Sequence, residues 1–155
     1  MFGAIRDATT PADVARARAL FNEYATWLNV DLCFQGFAEE LATLPGAYAR
    51  PRGRLLLAGP EDDAFACIAL RPLGDEAGEV KRLFVQPRAR GAGWGRKLAT
   101  RVIDDARAIG YRELKLDTLG RMTEARALYA SLGFLETEAY YHNPYADVVY
   151  LRLAL

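Results

Sequence analysis

The sequence predicts a mixed α/β fold in which one sheet carries helices on both of its faces. Short apolar runs typical of strands alternate with stretches of helical periodicity. From residue 79 onward the predicted order is strand, helix, strand, helix and two closing strands. A helix that connects two neighbouring strands makes them parallel. The length of 155 residues suits one core, so we predict a single domain over 1–155.

The first half of the chain predicts two helices and an antiparallel strand pair. Pro11 suits the first turn of a long helix, and Pro45-Gly46 ends the second. An acidic turn at 60–63 separates the two apolar runs of the pair. The predicted elements are strand 2–6, helix 11–28, helix 34–44, strand 54–58 and strand 64–70.

The second half contains the clearest helix of the chain. Over 94–109, apolar side chains occupy one half of the helical wheel and charged side chains most of the other, and Gly110 ends the helix. Pro87 ends the strand before it. The predicted elements are strand 79–86, helix 94–109, strand 114–118, helix 123–132, strand 134–138 and strand 148–153.

The composition excludes several classes of protein. Twenty basic and twenty acidic residues balance, which disfavours a general nucleic-acid binder. The longest apolar runs are too short to cross a membrane, and the N-terminus does not resemble a secretory signal. With a single histidine, Cys33 and Cys67 make a structural metal site improbable. We interpret both cysteines as buried thiols of a cytoplasmic protein and predict no metal.

The basic residues are unevenly distributed. From Lys81 to Arg112 there are nine basic residues and only two acidic ones. Such a segment suits a compact polyanion, for example the phosphates of a nucleotide, although a solvated helix face would explain it equally well.

A glycine-rich segment follows the predicted strand 79–86. Glycines occupy alternate positions 91, 93 and 95, immediately where a helix is predicted to begin. Glycine allows a ligand to approach the backbone closely, and the first turn of a helix offers unpaired N–H groups, so we predict a phosphate site. The alternative is a glycine-rich turn without a ligand.

Two better-known phosphate motifs do not fit this segment. The third glycine of the dinucleotide-binding fingerprint would fall on Arg96 or on Leu98. A Walker motif requires Gly-Lys followed by Ser or Thr, whereas Gly95 is followed by Arg96, Lys97 and Leu98. Hydride transfer and nucleotide hydrolysis are therefore disfavoured.

Two segments resemble motifs of the GNAT N-acetyltransferase superfamily. Residues 90–95 (RGAGWG) match its R/Q-x-x-G-x-G/A signature, and residues 129–134 (YASLGF) match its Y-x-x-x-G-F signature. The two occur in the family's order, and the similarity in element order covers nearly the whole chain. The resemblance implies a mixed, mostly antiparallel sheet of about seven strands with a splayed parallel pair in the middle.

The resemblance also implies that acetyl-CoA is the donor. Its pyrophosphate would bind the backbone amides of 91–96, and its pantetheine arm would pair along 83–85 like an added strand. The cofactor-binding residues implied in this way are Leu83, Phe84, Val85, Arg90, Gly91, Ala92, Gly93, Trp94, Gly95 and Arg96.

In the mechanism that the resemblance implies, the amine attacks the thioester directly. Tyr129 matches the family tyrosine that protonates the departing thiolate; a core tyrosine is the alternative. Glu79 is our first candidate for the base and Asp117 the second, each acting through water. The alternatives are a surface strand carboxylate for Glu79 and an ion-pair partner of an Arg or Lys for Asp117. The backbone N–H of Leu83 is a candidate oxyanion donor.

The variable parts of the chain are expected to form the acceptor pocket. The candidates are Tyr24, Trp27, Asp31, Gln35 and the residues 140–145 (YYHNPY). The tyrosines of that loop would equally suit a packed lid or a dimer contact, and His142 is more typical of a surface loop than of a base. We predict a small-molecule or peptide amine as acceptor, with neither nucleic acid nor membrane as partner; a homodimer is compatible with the sequence. The rival interpretation is a non-catalytic acyl-CoA-binding or sensor domain.

Overall fold

A computed structural model describes residues 5–29, 31–32 and 36–155 and contains a seven-stranded sheet. In the sheet the strands have the order β1-β2-β3-β4-β5-β7-β6. The strands are β1 (Ile5–Asp7), β2 (Arg54–Ala58), β3 (Ala66–Leu73), β4 (Ala77–Val85), β5 (Glu113–Leu119), β6 (Leu135–Glu136) and β7 (Val148–Ala154). The α helices are α1 (Pro11–Leu28), α2 (Phe37–Thr43), α3 (Trp94–Ile109) and α4 (Thr123–Ser131).

The strands β4 and β5 form the parallel pair of the sheet, and all other neighbouring strands are antiparallel. Their register runs from Ala77 opposite Glu113 to Glu79 opposite Lys115. Beyond that point β4 continues to Val85 and β5 to Leu119 without further pairing between them. The two strands therefore separate in the middle of the sheet, as the predicted splayed pair requires.

A β-bulge lies on β4 where the strands separate. Cys67 on β3 faces Phe84, whereas Ala69 faces Lys81, so β4 has one residue more than β3 over this stretch. Arg82 adopts the left-handed conformation with φ of 62°. A bulge bends its strand and changes the direction of the following residues, here Leu83.

The core has two parts, one on each face of the sheet. Leu55 and Leu57 pack against α1, while the alternate residues Leu56 and Ala58 pack against α3. Successive residues of a strand point to opposite faces, which explains the uninterrupted apolar run of β2. Helices on both faces were predicted, and the structure confirms them.

The bounds of several elements differ from those predicted. The closing strand predicted at 134–138 is only the two-residue β6, and the described part of the predicted helix 34–44 is α2. Cys67 is buried, as predicted, while Cys33 and Gln35 lie outside the described residues. Among the described helices, none combines the length and the apolarity needed to span a bilayer.

Candidate active site

A groove, which we call the outer groove, runs from the end of β4 to the start of α4. Its volume is about 510 Å³. Eight of the ten predicted cofactor residues line it: Leu83, Phe84, Val85, Arg90, Gly91, Gly93, Trp94 and Gly95. Ala92 and Arg96 are not among the residues that line it. Trp27, predicted for the acceptor pocket, instead lines this groove.

The glycine-rich segment leaves the start of α3 open. Gly91 and Gly93 have φ of +85° and +81°, a region that disfavours side chains, and a Cβ atom on either would have nothing within 4 Å. Gly93 is the N-cap of α3 and provides no side-chain cap. The first-turn amides of the helix are therefore accessible to an anionic group.

Fewer of the basic residues around this segment are available to a ligand than the sequence indicated. Six of the nine basic residues between Lys81 and Arg112 form ion pairs: Lys81, Arg82, Arg88, Arg101, Arg107 and Arg112. The other three, Arg90, Arg96 and Lys97, pair with no described carboxylate, and they flank the glycines. The positive charge available to a ligand is thus concentrated at the start of α3.

Arg90 lies across the outer groove. Its Nε donates a hydrogen bond to the Val85 carbonyl at 2.9 Å, and its guanidinium lies 4.9 Å from the ring centroid of Trp27. The side chain thus connects β4, α1 and the glycine-rich segment. It also uses the Val85 carbonyl that an added strand would need as an acceptor.

A second cavity, which we call the inner cavity, lies between the separated ends of β4 and β5. It measures about 70 Å³ and shares Leu83, Met122 and Ala125 with the outer groove. Several polar side chains line it: Tyr24, Lys81, Arg82, Asp117, Thr118, Tyr129, Asn143 and Tyr145. The two cavities are therefore adjacent at Leu83.

Tyr129 on α4 lines the inner cavity and is 6% exposed. Its ring packs edge-on against Phe134 at 5.3 Å. Burial raises the pKa of Tyr129, and the neighbouring Tyr24 and Asp117 act in the same direction. Burial likewise raises the pKa of Tyr24 to about 12. Tyr129 therefore retains its proton at neutral pH and can donate it.

Glu79 is buried at the closed end of the strand pair and lines neither cavity. Its two oxygens accept hydrogen bonds from Arg71 Nε at 2.8 Å and from the Tyr140 hydroxyl at 2.6 Å. Burial raises the pKa of Glu79, but Lys81, Arg71 and the Tyr140 hydroxyl outweigh it and hold this pKa below its usual value. A carboxylate stabilised in this way takes up protons reluctantly.

Asp117 on β5 does line the inner cavity. Its Oδ2 accepts a hydrogen bond from the Tyr141 hydroxyl at 2.7 Å, and Oδ1 lies 3.8 Å from Lys81 Nζ. Its side chain is 15% exposed. Of the two candidate bases, only Asp117 lines the inner cavity.

Comparison with known proteins identifies the family. The model of the acetyltransferase (GNAT) family matches residues 15–134. The chain belongs to the GNAT family. It is 40% identical to an uncharacterized N-acetyltransferase of Schizosaccharomyces pombe, over 94% of this chain and 90% of that protein.

Solved structures share the GNAT fold. An acetyltransferase of Streptococcus agalactiae has a TM-score of 0.79 at 23% identity, covering 99% of this chain and 98% of that one. A Salmonella typhimurium acetyltransferase, determined with its cofactor acetyl-CoA, has a TM-score of 0.69 at 20% identity, covering 98% and 93%. The predicted family, fold and enzyme class, an acyltransferase, are thus confirmed.

In this GNAT protein, two tyrosines of the loop 140–145 cover Glu79 and Asp117 rather than forming an open pocket. Tyr140 and Tyr141 bond to Glu79 and Asp117, whereas Tyr145 lines the inner cavity and accepts a hydrogen bond from the backbone N–H of Asp31 at 2.9 Å. The sequence shows that these tyrosines cluster, but no spacing rule connects a loop hydroxyl to a distant carboxylate.

Sequence reasoning missed the buried ionic groups of this site. Arg71, Lys81 and the pair Arg82–Glu40 were not among the predicted site residues. The buried Arg82 guanidinium donates two hydrogen bonds to Glu40, from Nε at 2.9 Å and from Nη2 at 2.8 Å. Within the described residues, no group of three or more His, Cys, Asp and Glu side chains is arranged to hold a metal ion.

Proposed function

We propose that this protein transfers the acetyl group of acetyl-CoA to a primary amine by direct attack on the thioester. The adjacency of the two cavities, which share Leu83, carries the proposal: the proposed anion site lines the outer groove, and Tyr129 and Asp117 line the inner cavity. Family enzymes use acetyl-CoA, and the open space over Gly91 and Gly93 fits its pyrophosphate.

The test is acetyl-CoA turnover, followed as free thiol, across a panel of small amines, amino acids and peptides. We expect thiol release that depends on the amine and a product heavier by one acetyl group. Tight acetyl-CoA binding without turnover for any amine would favour the rival sensor domain.

Binding of the pantetheine arm along 83–85 requires a rearrangement of Arg90. An added strand would accept and donate hydrogen bonds at the β4 backbone, and the Val85 carbonyl is already bonded to Arg90 Nε. Arg90 would release that carbonyl and remain available to the phosphates, because no described carboxylate pairs with it. The cation–π contact with Trp27 would change at the same time, so tryptophan fluorescence should report cofactor binding.

The proposed chemistry uses three groups that line the inner cavity: the Leu83 backbone N–H, Tyr129 and Asp117. The neutral amine nitrogen forms a bond to the thioester carbon, and the Leu83 N–H stabilises the oxyanion. The carbon–sulfur bond then breaks, and Tyr129 gives its proton to the thiolate. The proton that the amine loses passes to Asp117, directly or through water, and from there to solvent, and the Tyr129 phenolate takes up a proton from solvent to complete the cycle.

We assign the base to Asp117, which reverses the order favoured by the sequence. Asp117 lines the inner cavity, whereas Glu79 is held by Arg71, Lys81 and Tyr140 behind it. The physical support is that a base must reach the proton it removes.

Asp117→Asn should lower kcat/KM by about 10²-fold, the lower end for a general base. Glu79→Gln should lower it less and should reduce the melting temperature, because it breaks a buried ion pair. Both variants should bind acetyl-CoA as tightly as the wild type. Steady-state kinetics, calorimetry and thermal unfolding check these expectations, and a more damaged Glu79 variant with intact stability would return the base to β4.

The pair Glu40–Arg82 should maintain the bulge that directs the Leu83 amide. Arg82 is held in a strained backbone conformation, and its side chain is 3% exposed opposite a 10% exposed Glu40. Glu40→Gln should cost roughly 3 kcal/mol of stability and lower kcat more than it raises KM. The exposed neighbour Glu39 provides the matched control, since Glu39→Gln removes the same charge from α2. Equal kcat and KM values for Glu40→Gln and Glu39→Gln would show that the Glu40–Arg82 pair does not contribute to catalysis.

We propose a small-molecule or peptide amine as acceptor, because the inner cavity is small and half of the residues that line it are polar. The balanced charge supports an acceptor other than nucleic acid, and the buried thiol of Cys67 is compatible with a cytoplasmic enzyme. A homodimer stays a prediction that solution scattering would test.

A further inference from the structure

Lys81 is a buried cation at the point where β4 and β5 separate. Its side chain is 3% exposed, and it lines the inner cavity. The ammonium lies 3.6 Å from Glu79 Oε2 and 3.8 Å from Asp117 Oδ1. A charge buried to this degree requires compensation, and these two carboxylates supply it.

The two carboxylates are compensated unequally. Glu79 also has the Arg71 guanidinium on β3 and the Tyr140 hydroxyl. Asp117 has the Tyr141 hydroxyl, and among the described residues Lys81 is the cation within ion-pair distance of it. Loss of Lys81 would therefore affect Asp117 more than Glu79.

The other elements around Lys81 do not replace it. From β4, the Arg82 guanidinium is directed to Glu40 of α2. Tyr24 of α1 lines the same cavity. In the loop 140–145, the ring centroid of Tyr141 lies 5.9 Å from the Lys81 ammonium. Burial lowers the pKa of Lys81, while Glu79 and Asp117 oppose this effect and Arg82 and Arg71 add to it.

We propose that Lys81 is a positioning residue that compensates the charge of Asp117 and keeps it directed into the inner cavity, in competition with Glu79 for the same ammonium. The inference rests on the proposed role of Asp117 as base. It gives Glu79 a distinct role: its negative charge competes with Asp117 for Lys81 and repels Asp117, without touching the substrate.

The inference is tested by the titration of Asp117 itself, followed by ¹³C NMR of enzyme labelled at the aspartate carboxyl carbons. The Asp117 resonance is identified by its absence from Asp117→Asn. We compare wild type with Lys81→Met, Glu79→Gln and the charge-balanced double variant Lys81→Met/Glu79→Gln. This measurement needs neither the acceptor nor turnover.

Lys81→Met should move the midpoint of this titration to higher pH by about 1 to 3 units, the effect of an opposite charge at this distance. Glu79→Gln should move it to lower pH, and the double variant should lie above Glu79→Gln. Lys81→Arg, which keeps the charge, should retain the wild-type midpoint more nearly than Lys81→Met. In an active assay, the acid limb of kcat/KM should follow the same order.

The double variant protects the test against loss of folding. Lys81→Met alone removes a cation that compensates the buried Glu79 carboxylate, whereas the double variant removes both charges together. An Asp117 midpoint that is the same in Glu79→Gln and in the double variant would overturn the role of Lys81, even if Asp117→Asn is inactive. Full turnover by Asp117→Asn would instead remove Asp117 from the mechanism, whatever the titrations show. The two failures are thus distinguishable.

Discussion

Replacing Tyr129 with phenylalanine should slow acetyl transfer by roughly 10²–10⁴-fold, the usual contribution of a general acid. Tyr129 lines the inner cavity, and burial raises its pKa, so its hydroxyl carries a proton at the pH of the assay when the thiolate departs. The ring would continue to pack against Phe134, so the fold and acetyl-CoA affinity should change little. Single-turnover kinetics measures the chemical step, and calorimetry measures the affinity.

Tyr24→Phe is the matched control for this experiment. Tyr24 is a second tyrosine of the inner cavity, its ring lies 6.1 Å from that of Phe84, and burial raises its pKa as well. We expect it to retain most of the wild-type rate. A larger loss in Tyr24→Phe than in Tyr129→Phe would transfer the role of proton donor to α1.

Gly93→Val should weaken the binding of acetyl-CoA by about 10²-fold or more, equivalent to losing two charge-assisted hydrogen bonds to the backbone. At φ of +81° a β-branched residue is strained, so the segment would change its conformation. The new side chain would also extend into the open space over the start of α3, where the pyrophosphate is proposed to lie. Calorimetry with CoA measures the effect.

Gly110→Val separates strain from ligand contact. Gly110 is at the other end of α3, has φ of +108°, and a Cβ atom on it would likewise meet nothing within 4 Å. Its replacement should lower the melting temperature about as much as Gly93→Val does and leave CoA affinity intact. Equal losses of affinity in both variants would show that the glycine-rich segment acts only through the stability of α3.

Much of the fold was predictable because local patterns carried it. The bounds of α1, α3 and β2 agree with the prediction residue for residue. Each combines a strong periodic or apolar pattern with a clear boundary signal, such as Pro11 or Gly110. The predicted length of the closing strand at 134–138 was too great. Only Leu135 and Glu136 pair with β7, and the local apolar pattern carries no information on that pairing.

By itself, the sequence determined the family, the fold and the segment proposed as the anion site. The glycines at 91, 93 and 95 act through the backbone of one short segment, and Tyr129 belongs to a motif within one helix, so local chemistry pointed to both. The choice between Glu79 and Asp117 depended on the tertiary structure, because both are strand carboxylates of similar intrinsic acidity.

Three non-local features form the surroundings of the two carboxylates: the residue at which β4 and β5 separate, the bulge at Arg82, and the tyrosine loop that covers both carboxylates. They also bury Lys81 between acidic groups of two different strands, Glu79 and Asp117. Burial and charge compensation arise only when distant strands are brought together. The electrostatic environment of the two carboxylates was therefore decided by the folded chain.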